Sequence, residues 1–140
     1  MANVKPSRHA ISRMKHRGAA RSSNGARRTT INAYNIGLTH DEATGDVQAY
    51  IAHLYARNRS NGKKYPTIRI YGEHVYIFEG RALITSYQLP DEIREQALEQ
   101  YRQKKDRILQ DRIEDDRRRL ERIKSVGYMG NVTIDENFAY

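Results

Sequence analysis

Residues 66–87 read PTIRIYGEHVYIFEGRALITSY, and this stretch decides the fold. It divides into three runs rich in β-branched and aromatic residues, 66–71, 74–78 and 81–87. Such side chains suit the half-buried, pleated surface of a strand. The dipeptides between the runs, Gly72-Glu73 and Glu79-Gly80, are candidate two-residue turns. An antiparallel meander is expected, leaving the sheet at Pro90.

Two-residue turns would fix the register. Tyr71 then faces His74 and Arg69 faces Tyr76, while Phe78 faces Arg81, Tyr76 faces Leu83 and His74 faces Thr85. Alternation puts Ile68, Ile70, Val75, Ile77, Ala82 and Ile84 on one apolar face, made to pack on helices. The other face carries Thr67, Arg69, Tyr71, His74, Tyr76, Phe78, Arg81, Leu83, Thr85 and Tyr87, with no acid. Arginine contacts phosphate, aromatic rings stack on bases, and histidine carries a proton near neutral pH. The plainer reading of this face is burial under the long C-terminal helix. Both assignments require two-residue turns, because a bulge would send every later side chain to the opposite face.

Helices flank the sheet region. Residues 7–17 read as a short helix, with Ser7 as N-cap, Gly18 as stop and Ala10, Ile11 and Met14 as an apolar stripe. Residues 19–28, rich in Ser, Gly and Arg, read as a mobile basic loop, and 29–37 as an ambiguous segment ending at Gly37. Thr39 and Glu42 are spaced as a capping box. A helix over 46–57, capped by Asp46, has Val47, Tyr50, Ile51, Leu54 and Tyr55 at helical spacing, and 58–64 follows as a loop. Residues 91–124 read as one long helix, with ten acids, eleven bases, no Gly or Pro, and a thin stripe from Ile93 to Ile123. In the remaining tail, Val132, Ile134 and Phe138 are candidates to dock back or add a strand.

The expected architecture is α+β: N-terminal helices on a three- to four-stranded antiparallel sheet, then a long charged helix. The division is a basic domain over 1–90, an interaction or coiled-coil arm over 91–124, and a tail over 125–140.

The net charge is +8 over 140 residues. Residues 1–34 hold eight bases and no acid, so all the excess lies in the first quarter. A concentrated basic segment points to a polyanion, RNA more than DNA here; a solvated tail is the plainer reading. Zero cysteines exclude disulfide, thiolate and cysteine–zinc chemistry and fit a cytoplasmic location. There is no apolar run of membrane-spanning length, so no membrane partner is expected. No metal-ligand motif, phosphate-binding glycine loop or serine-hydrolase elbow is present, so neither metal nor cofactor is expected. One reaction remains economical, metal-independent RNA cleavage, in which the substrate supplies its own 2′-hydroxyl as nucleophile.

The stretch from Ser7 to Met14, with Arg17-Gly18, resembles the H-A-x-x-R-M-x-x-R-G opening of small bacterial toxin-like domains. Leu83-Ile84-Thr85-Ser86-Tyr87 resembles their last strand. These domains belong to the BECR ribonuclease fold, which takes in barnase, EndoU, colicin and RelE-like toxins. The resemblance covers residues 7–18 and 66–87. It implies catalytic positions at His9, Arg13, Thr85 and Tyr87. His74 is a further candidate from the sheet-face reading. Arg8, Lys15, Arg17, Arg21, Arg27, Arg28, Arg69, Tyr76 and Arg81 are candidate nucleic-acid contacts. The long helix and tail depart from the toxin pattern. They fit a non-catalytic binder carried by a phage or mobile element, such as an anti-CRISPR inhibitor of a host nucleoprotein, or a DNA-binding regulator. A protein partner or a second copy through 91–124 is expected in either case.

Overall fold

The computed structural model describes residues 4–64 and 66–130. A two-residue strand, β1 (Lys5–Pro6), leads into α1 (Arg8–His16). Ser7 starts that helix as expected, its hydroxyl accepting the Ala10 N–H at 3.0 Å. The basic segment after it is shorter than expected. The Ser22 hydroxyl accepts the Gly25 N–H, and α2 (Ser23–Ile36) absorbs most of the supposed loop. Ser and Gly obscured the helix, yet Ala26, Thr30 and Ala33 give it a buried stripe. Thr39 and Glu42 do bond reciprocally, but they close a turn rather than open a helix. α3 (Gly45–Ser60) is capped at Thr44, not Asp46, and takes in the start of the presumed loop.

β2 (Pro66–Tyr71), β3 (His74–Glu79) and β4 (Ala82–Gln88) form the meander, and α4 runs Asp91–Gly130. The strand order is β1-β4-β3-β2. β1 lies parallel to β4, so the sheet is mixed rather than wholly antiparallel. The architecture is α+β. The calls on Val132, Ile134 and Phe138 lie outside the described residues. The chain forms two compact units, Met1–Lys104 and Lys105–Tyr140. No helix among the described residues is long and apolar enough to cross a membrane.

In the first unit the sheet is covered on both faces. Ile68, Ile70, Val75 and Ile77 pack with Val47, Ile51 and Leu54 of α3 and with Ile93 and Ala97 of α4. Tyr76, Phe78 and Leu83 pack with Ala10 and Met14 of α1 and Ala26 and Ala33 of α2. The acid-free face is therefore a second core, filled by two N-terminal helices rather than by the long one. Each fully buried aliphatic side chain here contributes about 1.5–3 kcal/mol.

The first hairpin keeps the expected register, with Tyr71 opposite His74, Arg69 opposite Tyr76 and Ile70 opposite Val75. The second departs from it. Glu79 pairs with Ala82, so the turn is Gly80-Arg81 instead of Glu79-Gly80. Phe78 then pairs with Leu83 but Ile77 with Thr85, leaving Ile84 as an extra residue. This bulge reverses the phase of β4. Ser86 now lies opposite Tyr76, and Thr85 and Tyr87 lie opposite Ile77 and Val75. A small serine fills the fully buried position across from Tyr76, which a tyrosine would overfill.

Candidate functional site

α1 crosses beside β4, and its basic side chains reach the residues after the bulge. The Arg13 guanidinium donates to Thr85 Oγ1 at 2.7 Å. One turn later, the Arg17 guanidinium donates to the Ser86 carbonyl and lies 5.0 Å from the centroid of the Tyr87 ring. Two arginines at i and i+4 thus hold three consecutive residues of β4. His9, a further turn back, continues the row.

His9 and Arg13 line a cavity of about 290 Å³ together with Thr85 and Tyr87. Ile77 and Ile84 line it from the sheet, and Leu54, Arg57 and Asn58 from α3. Asn61 and Lys63 line it from the loop after α3. Among the described residues that line it there is no carboxylate. Its polar groups are three permanent cations, one histidine, two amides, a hydroxyl and a phenol. Such a set offers donors and positive charge to an anion at close range.

The bulge makes this arrangement. Without it, Thr85 and Tyr87 would share the face of Tyr76 and be buried under α1. With it, they turn toward the α3 side, where the C-terminal turn of α3 adds charge. Arg57, Asn58, Asn61 and Lys63 were not among the expected site residues. For Asn58, Asn61 and Lys63 the signal was the basic run NRSNGKK at 58–64, read as a simple loop, whereas Arg57 was read as the last residue of the preceding helix.

Several other candidates sit elsewhere. His74 does not line the cavity, and its Nε2 is 3.1 Å from the Arg17 carbonyl oxygen. Tyr76 is 1% exposed, so no base can stack on it. Burial, and then Tyr71, push its phenol far above the ordinary range. Burial, and secondarily Tyr87, also raise the phenol of Tyr50. Arg69 lies against the Tyr34 ring at 5.7 Å and donates to the Ile68 carbonyl. It lines a separate cavity of about 550 Å³ with His40, Tyr55 and Arg59. Arg81 stands exposed in the β3–β4 turn, and Arg8, Lys15, Arg21, Arg27 and Arg28 are exposed on or between α1 and α2.

Compared with models of protein families, with curated proteins and with solved structures, the chain matches none significantly.

Proposed function

We propose that the cavity between α1, β4 and α3 takes a phosphate of an RNA chain and that the protein cleaves RNA there by transesterification. The carrying observation is the acid-free lining, which joins His9 and Arg13 to Thr85 and Tyr87 and adds Arg57 and Lys63. The resemblance over residues 7–18 and 66–87 supports the same reading. The cytoplasm, where RNA is abundant, is the compartment that fits this chemistry.

In this mechanism the 2′-oxygen attacks the adjacent phosphorus and the 5′-oxygen leaves. The products are a 2′,3′-cyclic phosphate and a free 5′-hydroxyl. His9 takes the proton of the attacking 2′-hydroxyl and returns a proton to the leaving 5′-oxygen, imidazole being a side chain able to do both. Arg13, Arg57 and Lys63 offset the charge that builds on the phosphorane oxygens. Thr85 fixes Arg13, and Tyr87 orients the scissile phosphate. Arg57 and Lys63 contact the phosphate here in place of Arg69, which lines the other cavity.

The test is total tRNA incubated with purified protein in EDTA, with fragment ends identified. Cleavage that survives chelation, leaves cyclic phosphate ends and disappears in His9→Ala supports the proposal. Intact RNA at high protein concentration overturns cleavage. RNA retained but uncut, with retention weakened in Arg57→Ala and Lys63→Ala, would favour the non-catalytic binder.

A further inference from the structure

The second unit carries an apolar seam on α4. Leu109, Ile113, Leu120 and Ile123 are 53%, 51%, 58% and 56% exposed. They follow one another at the four-and-three steps of a heptad, with Asp116 at the missing seam position. Ile108, though exposed, falls outside that seam. A seam this narrow is a coiled-coil half rather than the broad apolar face of a membrane-surface helix.

The flanks of the seam decide what it pairs with. Arg112 and Arg119 border it on one side, Arg117 and Lys124 on the other. All four are cations. The acids Glu114, Asp115 and Glu121 lie on the back of the helix; Glu114 meets the flanking Arg117, Asp115 meets Arg118, and the seam Asp116 lies 3.8 Å from the flanking Arg119. A second copy of this chain is a poor partner. In a parallel pair, Arg112 would meet the other copy's Arg117, and Arg119 its Lys124. An antiparallel pair would also set cation against cation. In a parallel pair the two Asp116 carboxylates would also meet in the seam.

We propose that this segment is one half of a heterotypic coiled coil whose other half is a helix with acidic flanks. The partner helix carries Glu or Asp at the positions facing Arg112, Arg117, Arg119 and Lys124. Opposite Asp116 it carries a basic or amide side chain. The flanking cations reject self-pairing and select this partner by charge, while the four apolar residues supply the contact. The proposal does not rest on the ribonuclease reading.

The experiment uses the full chain and three labelled synthetic helices of about three heptads, all with leucine in the seam and one asparagine opposite Asp116. The helices differ only in their flanks, which are all Glu, all Gln or all Lys. The Glu helix should bind by fluorescence anisotropy at least about tenfold more tightly than the Gln helix, weaken with added salt, and leave the Lys helix unbound. Ile113→Ser with Leu120→Ser should abolish binding without loss of helical circular dichroism. Arg112→Glu with Arg119→Glu should reduce preference for the Glu helix and admit the Lys helix. Three results overturn the proposal. One is a dimer of the chain alone by light scattering. Another is equal or absent binding of the Glu and Gln helices. The third is capture by phosphatidylglycerol vesicles with no binding of the Glu helix.

Discussion

Arg13 on the first helix donates to Thr85 on the last strand at 2.7 Å, across 72 positions of sequence. Thr85 is 5% exposed, so the bond ties a buried hydroxyl to a permanent charge at the edge of the cavity. Arg13→Met should destabilise the protein by about 1–3 kcal/mol, because it leaves that hydroxyl without its donor. Thr85→Val should cost a comparable amount. The double variant should cost less than the sum, and chemical denaturation of all four proteins measures the coupling. A sum without coupling would show that the bond contributes nothing.

Ser86, the next residue, behaves differently. Its carbonyl accepts from Arg17, but its buried hydroxyl has no hydrogen-bond partner among the described residues. Ser86→Ala removes an unsatisfied polar atom with little change of volume. Its stability should fall within about 0.5 kcal/mol of the parent or above it. A clear drop in melting temperature would reveal a partner for the hydroxyl.

Lys104 ties the start of α4 to the turn before α3. Its ammonium donates to the Gly37 carbonyl at 2.7 Å and to Glu42 Oε1 at 2.8 Å. Burial raises the Glu42 carboxyl, but hydrogen bonds from Lys104 and Thr39 outweigh it and hold it below its ordinary value of 4.5. A carboxylate lowered in the folded state stabilises the protein above its unfolded value. That contribution is lost as pH falls from about 4.5 through the folded value. Glu42→Gln should therefore flatten the melting temperature against pH in this acid range. Lys104→Met should cost about 1–3 kcal/mol at neutral pH, since the Glu42 charge and the Gly37 carbonyl lose their donor.

Gly37 is held by space rather than by conformation, its φ being −64°. A Cβ there would collide with the Ala33 carbonyl and sit 2.9 Å from Cβ of Arg69. Gly37→Ala should destabilise by about 1–3 kcal/mol through overpacking. The same change at Gly18, where φ is +80° and the space is open, strains the backbone without a clash. Thermal melts of the two variants separate the causes. Near-identity of Gly37→Ala with the parent would contradict the close approach.

The sequence made the three long strands, the first hairpin register, the Ser7 cap and the long helix legible, because each follows from local pattern. It also pointed to His9, Arg13, Thr85 and Tyr87, which the fold does line up on one cavity. The expected route was wrong, since alternation placed Thr85 and Tyr87 beside His74 and Tyr76. One extra residue at Ile84 reverses that, and no residue type announces it. Arg57 and Lys63 were hidden for a different reason. Only the packing of α3 on the sheet brings its end to β4, far away in sequence. β1, at two residues, is too short to show a period of its own.

Among the described residues, β1 covers β4 only at Ala82 and Leu83. The next stretch of β4 is a place where another extended chain would add, were it left bare. Arg17 occupies the Ser86 carbonyl, and Arg13 stands beside it on Thr85. The two guanidinium groups therefore stand where a foreign strand would add to the sheet. Drawing both arginines away would uncover that stretch of the strand edge.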